Sequence, residues 1–174
     1  TDRDYVPQPE PQVDVPTATP PDVSDLPSTD PSFTLESYDF YYNTPIPKRL
    51  TCQGEDISPH LKWTDPPQGT ESFAVSVFDP DARQEGWTHW LLIDIPVDQR
   101  VIEKGSAAGT EIENDFGRLS YGGPCPPEGK HRYIFTVYAL DVPSLDGVTK
   151  ENFFDVVPQH ALASAKTIGL YQKS

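Results

Sequence analysis

Tyr121-Gly122-Gly123-Pro124-Cys125-Pro126-Pro127-Glu128-Gly129-Lys130 runs straight into His131-Arg132-Tyr133-Ile134-Phe135-Thr136-Val137-Tyr138-Ala139-Leu140. In the second half, His131, Tyr133, Phe135, Val137 and Ala139 fall on one side of a two-residue alternation, and Arg132, Ile134, Thr136, Tyr138 and Leu140 on the other. Period two with many aromatic and β-branched residues predicts a strand. Apolar content on both faces places that strand centrally in a packed sheet. The first half has the opposite character. Its glycines allow close backbone approach or a positive φ, while its prolines stiffen the chain and withhold ladder donors. A stiff loop therefore delivers the chain into a central strand, with His131 at the junction. Exposed N–H groups in such a loop can form an anion-binding concavity, and an imidazole beside it favours a phosphate or carboxylate.

Two further strands read in the same way. Ser72–Phe78 alternates Phe73, Val75 and Val77 with Ala74, Ser76 and Phe78, and Thr88–Ile95 alternates His89, Leu91, Ile93 and Ile95 with Thr88, Trp90, Leu92 and Asp94. Phe33, Leu35 and Ser37 mark an opening strand. Thr44–Leu50, with Pro45 and Pro47, suits a sheet edge because proline cannot donate to a ladder. Helical signals are confined to the end: Thr149–Val157 behind a threonine cap, and Pro158–Lys166 with its alanine-rich run. Gly169 is expected to stop that second helix, leaving Leu170-Tyr171 as a last short strand. The expected class is mostly β, a two-sheet antiparallel β-sandwich with one or two short helices near the C-terminus.

Around this domain the composition changes. Of the 20 prolines in 174 residues, eight lie in residues 1–31 beside seven acids and one base, Arg3. Such a stretch cannot offset its own ordering entropy, so residues 1–31 are expected to be a disordered tail or linker and residues 32–174 the folded domain. No run of 18 apolar residues occurs, so no membrane span is expected. A net charge of −14 repels phosphate backbones and argues against nucleic acid as a partner. The absence of methionine and the start at Thr1 fit either an arbitrary chain boundary or a mature chain whose export segment is gone. The expectation is export: periplasmic, extracellular, or tethered at a membrane surface through the tail.

Cys52 and Cys125 both sit in turn-like contexts and belong to no CxxC or CxxH spacing, so no zinc site is expected. They are either two free thiols or a disulfide, which would stabilise the fold by about 4 kcal/mol on the chain-entropy model and imply an oxidising compartment. His89 and His131 each begin a strand, and Asp79, Pro80 and Asp81 follow the end of another. Two imidazoles and one or two carboxylates at three strand ends can converge on one pocket rim. Each is also compatible with a hydrogen-bonded core histidine or an ordinary Asp-Pro-Asp turn. An Asp/His/His set could serve acid–base chemistry or a metal, but no Gly-x-Ser-x-Gly elbow is present. No enzyme activity, cofactor or metal is expected. His60 and His160 read as loop or helix surface positions, and Trp63, Trp87 and Trp90 as core or pocket wall.

Asp79-Pro80-Asp81-Ala82, Trp87-Thr88-His89-Trp90, Gly122-Gly123-Pro124-Cys125-Pro126-Pro127 and Gly129-Lys130-His131-Arg132-Tyr133, in that order, resemble the signatures of the phosphatidylethanolamine-binding, or Raf kinase inhibitor-like, protein family. Ile57-Ser58-Pro59-His60-Leu61-Lys62-Trp63 and Asn114-Asp115-Phe116-Gly117 resemble its bacterial and archaeal branch. The resemblance covers about residues 32–174. It implies a β-sandwich with a small anion pocket built from Asp79, His89 and His131, with Pro80, Asp81, Gly123 and Tyr133 around it. It also implies a Cys52–Cys125 disulfide, as in exported members. The chain departs from the pattern at Arg83, where proline is common and the turn is expected to loosen, and at His60. The implied function is a non-catalytic binding module for small anions or phosphorylated groups, phospholipid head groups among them. The alternative is a protein partner, with the chain acting as a serine protease or kinase inhibitor, although the partner surfaces of the animal kinase regulators have no counterpart here.

Overall fold

His131–Leu140 forms a strand paired on both sides along most of its length in the structure, a computed structural model that describes residues 31–82 and 85–174. In chain order the strands among the described residues are β1 (Thr34–Glu36), β2 (Thr44–Pro45), β3 (Leu61–Thr64), β4 (Ser72–Asp79), β5 (Trp87–Pro96), β6 (Val101–Ile102), β7 (Thr110–Ile112), β8 (His131–Leu140) and β9 (Ala161–Tyr171), with a short 3-10 helix at Lys48–Leu50 and an α-helix, α1 (Phe153–Gln159), before β9. β4 pairs with β8 from Ser72↔Leu140 to Phe78↔Ile134, and β9 takes the other side from His131↔Tyr171 to Leu140↔Ala161. The resulting six-stranded sheet runs β2-β9-β8-β4-β5-β7, and a small sheet runs β1-β3-β6. The pairing of β2 with β9 is parallel; the other described pairings are antiparallel.

The apolar residues on both faces of β8 are explained by what covers them. Phe33, Leu35 and Trp63 from the small-sheet side pack with Phe73, Val75, Val77, Phe135 and Val137 in the main core. On the opposite face, Ala74, Leu91, Ile93, Tyr138 and Leu140 are covered by Val148, Phe153 and Val157. The sandwich is therefore closed by a helical cap on the outer face of its larger sheet. Among the described residues no helix is long and apolar enough to cross a membrane. The expected tail lies outside the described residues except for Pro31, and so does Arg83.

Three sequence expectations are corrected. Pro158–Lys166 is not a second helix: α1 ends at Gln159, and the alanine-rich run opens the 11-residue strand β9. Helix propensity is worth at most ~0.7 kcal/mol per ordinary residue, whereas the open side of β8 offers a whole ladder and a core face for small side chains. Ala163, Ala165, Thr167, Gly169 and Tyr171 are buried at alternate positions. Gly169 does not stop a helix. A Cβ there would lie 2.3 Å from Ile46 Cγ1 and 3.1 Å from Phe40 Cε2, so glycine is required by close packing.

The second correction concerns β5. Its register against β4 shifts twice, from Phe73↔Ile95 to Val75↔Leu92 and from Val77↔Trp90 to Phe78↔Thr88, with one extra β5 residue each time. At the first bulge Asp94 adopts φ 57° and its Oδ1 accepts the Leu145 N–H at 2.9 Å. Ile95 therefore joins Trp90 and Leu92 in the main core, away from the Leu91–Ile93 face. His89 is the extra residue of the second bulge. The third correction is His60, which is buried, with its ring stacked on Tyr38 at 4.0 Å and its Nδ1 accepting the Tyr38 N–H.

Gly169→Ala should lower stability by about 1–3 kcal/mol through overpacking against Ile46. The midpoint of chemical unfolding checks this, and an unchanged midpoint would refute the close-packing account.

Candidate functional site

Alternation along β4 turns Asp79 to the same face as Phe73, Val75 and Val77, and alternation along β8 puts His131 with Tyr133 and Phe135 on that face. The two ends meet there. Asp79 is fully buried, and its Oδ2 accepts the His131 Nδ1–H at 2.8 Å. Its other oxygen, Oδ1, accepts the Asp81 N–H at 2.8 Å and closes the turn through buried Pro80. A buried carboxylate is costly unless its oxygens are hydrogen-bonded, and here both accept.

His89 reaches this face because of its bulge, a device that re-aims a side chain. Its ring lies edge-on to Tyr133, with centroids 5.2 Å apart, and Tyr133 in turn lies nearly parallel to His131 at 6.5 Å. The fully buried Tyr133 thus spaces the two imidazoles. His89 Nδ1 is 2.7 Å from the Gly122 carbonyl. A carbonyl only accepts, so Nδ1 carries the proton and any change of protonation falls on Nε2.

The stiff loop behaves differently from expectation. The Gly122 N–H donates to the His89 carbonyl at 3.0 Å, and the Gly123 N–H to Asp56 Oδ1 at 2.7 Å. These two amides are engaged within the protein, so the concavity expected of exposed loop N–H groups is not built from them. Gly123 serves close approach, because a Cβ there would sit 2.4 Å from the Leu50 carbonyl oxygen. Cys52 and Cys125 are joined in a disulfide, the Cys52 N–H donates to the Pro124 carbonyl at 3.1 Å, and the Tyr121 hydroxyl donates to the Leu50 carbonyl at 2.9 Å. Burial first, then the charges of Asp56 and Asp39, push the Tyr121 phenol well above its ordinary value, which keeps it a donor.

Asp81 is drawn along the rim. Its carboxylate accepts the Arg132 backbone N–H at 2.9 Å, Nε–H at 3.0 Å and Nη2–H at 2.9 Å. Asp79, His131, His89 and Tyr133 therefore form one cluster, while Pro80, Asp81 and Gly123 frame it through backbone and turn. Sequence reasoning missed Asp56, Asn114, Phe116 and Arg132 as parts of this frame. Phe116 lies edge-on to both His89 and Trp87, at 5.1 and 5.5 Å. The Asn-Asp-Phe-Gly run was legible only as a family motif, and its contact with His89 joins segments more than twenty residues apart. Among the described residues no three His, Cys, Asp or Glu side chains group as a metal-ion set.

Burial raises the Asp81 carboxyl, but the hydrogen bonds and charge of Arg132 outweigh it and hold the group below the ordinary value. A depressed folded-state value stabilises the fold above the unfolded value, about 3.9 for aspartate, and that contribution disappears as pH falls through the folded value. Arg132→Met should therefore be less stable than wild type near neutral pH, with the gap closing as pH drops below about 4. Thermal unfolding of both proteins across that range checks the sign; a gap that persists in acid would refute it.

Residues 36–172 match the family profile described as phosphatidylethanolamine-binding protein. A UPF0098 protein of Methanothermobacter thermautotrophicus is 42% identical over 151 residues, covering 80% of this chain and 98% of its own length. Escherichia coli YbhB, also a UPF0098 protein, is 41% identical over 131 residues, covering 68% and 83%. Among solved structures, a phosphatidylethanolamine-binding protein homolog from Chlamydia trachomatis superposes with a TM-score of 0.76 at 36% identity, over 82% of this chain and 99% of that one. Escherichia coli YbcL, described as a member of the mammalian family, also gives 0.76, at 27% identity over the same shares.

Proposed function

This chain belongs to the phosphatidylethanolamine-binding protein family, and from that premise we propose that it is a binding protein for small phosphate-type anions, held at the His131–His89 cluster without chemical turnover. The observation that supports the reading is the buried Asp79–His131 hydrogen bond beside a second, oriented imidazole. Asp79 takes the Nδ1–H of His131 and supplies the negative charge against which that ring can be held as an imidazolium, with Nε2–H as the donor toward an anion. A chain of net charge −14 does not steer anions from a distance, so recognition acts at short range. Phosphorylated head groups of lipids carry this chemistry and are the proposed physiological source. The Cys52–Cys125 disulfide supports a working place in an oxidising, exported setting.

Calorimetric or NMR titration with inorganic phosphate, phosphoethanolamine and acetate tests the proposal in wild type and His131→Ala. The expected dissociation constant is on the order of 0.1–10 mM, about 3–5 kcal/mol, with saturable binding lost in the variant. Absence of saturable binding in wild type, or binding undiminished by His131→Ala, would overturn it.

A further inference from the structure

We infer that Asn114 is a positioning residue for this site, its carboxamide setting the tautomer and orientation of His89; the consequence for a ligand rests on the anion-binding reading above. Asn114 is fully buried. A carboxamide has two donor hydrogens and two acceptor sites, and all four are used. Nδ2 donates to the His89 and Ser120 carbonyls, each at 2.8 Å, and Oδ1 accepts the Phe116 and Arg118 N–H groups, each at 3.1 Å. Reversing the amide would turn donors onto donors and oxygen onto carbonyls, so the network fixes which atom is which.

The two halves of the carboxamide do different work. The acceptor half belongs to the local turn, which is also closed by the Asn114 N–H to the Arg118 carbonyl at 2.9 Å and the Gly117 N–H to the Asn114 carbonyl at 3.0 Å. An aspartate would serve that turn equally well, since turn amides need only an acceptor. The donor half reaches out of the turn. One hydrogen holds the carbonyl of His89 itself, and the other holds the chain at Ser120, two residues before the Gly122 carbonyl that receives the His89 ring.

His89 lies where the β4–β5 register shifts, between Val77↔Trp90 and Phe78↔Thr88, so its carbonyl is held from the Asn114 turn. It is clamped to Gly122 reciprocally: the Gly122 N–H donates to its carbonyl and its Nδ1–H donates to that of Gly122. Asn114 grips the His89 end of this clamp and the chain at Ser120, two residues before its other end, and its turn presents Phe116 edge-on to the same ring. Removing the two donors leaves the clamp without its anchor while the turn persists.

The test compares wild type, Asn114→Asp, Asn114→Ser and Ser72→Ala in the full chain. Asn114→Asp keeps the acceptor half and reverses the donor half. Asn114→Ser supplies a fold-competent alternative without a buried charge. Ser72→Ala removes a buried hydroxyl that donates to the Val142 carbonyl at the far end of β4, controlling for loss of stability alone. The primary readout is the pair of His89 ring 15N shifts with their pH titration, alongside the unfolding midpoint and the titration with inorganic phosphate. Wild type and Ser72→Ala should show a single Nδ1–H tautomer. The Asn114 variants should show tautomer mixing and an altered His89 titration, with phosphate binding weakened about tenfold, the size expected when buried carbonyls lose their donors. Unchanged His89 shifts in a folded Asn114 variant would overturn the inference. The ring shifts decide this even where wild type fails to bind phosphate, an outcome that overturns the anion reading and not the positioning role.

Discussion

Strand β8 is enclosed on every side: β4 and β9 occupy its two ladders, the small sheet covers one face, and the cap built around α1 covers the other. This enclosure is the constraint on which the rest depends. It requires ten residues tolerant of burial, and His131–Leu140 are all buried except for Arg132. It also leaves the strand's beginning as the place where a polar side chain can stand at the edge of a rigid core. His131 occupies that place, and the neighbouring end of β4 brings Asp79 to it.

Several polar groups near that edge are buried and hydrogen-bonded within the protein. Both Asp79 oxygens accept, His89 donates to a main-chain carbonyl, Gly123 donates to Asp56, and Asn114 uses all four of its bonds. A buried polar group without a partner costs about 1–3 kcal/mol, more than most single contacts return, so such a network is held by the penalty of breaking it. The disulfide and the Tyr121–Leu50 hydrogen bond attach the loop of this network to the turn around Lys48–Leu50. The network thus fixes the backbone around the two imidazoles.

Asp79 and His131 were legible as strand-end residues able to share a pocket rim, but their direct pairing was not. His89 was not placed correctly, since alternation counted from Leu91 puts it on the wrong face. A bulge is a relation between two strands, and neither strand carries it alone. The alanine-rich run beginning at Ala161 misled in a similar way: its local preference is helical, but its neighbour is the open ladder of β8. His60 and Gly169 show the same limit, one buried by a stack with Tyr38 and the other required by the approach of Ile46.

By itself the sequence determined the class of fold, the central strands and the motif set that marks the family, because periodicity and turn chemistry are properties of neighbours along the chain. It also determined which residue types stand at the strand ends. Only the tertiary structure decided which of them meet, which loop amides are engaged inside the protein, and that Asn114 holds His89. Those outcomes depend on register, close approach and the satisfaction of buried donors, all of which are set between segments distant in the chain.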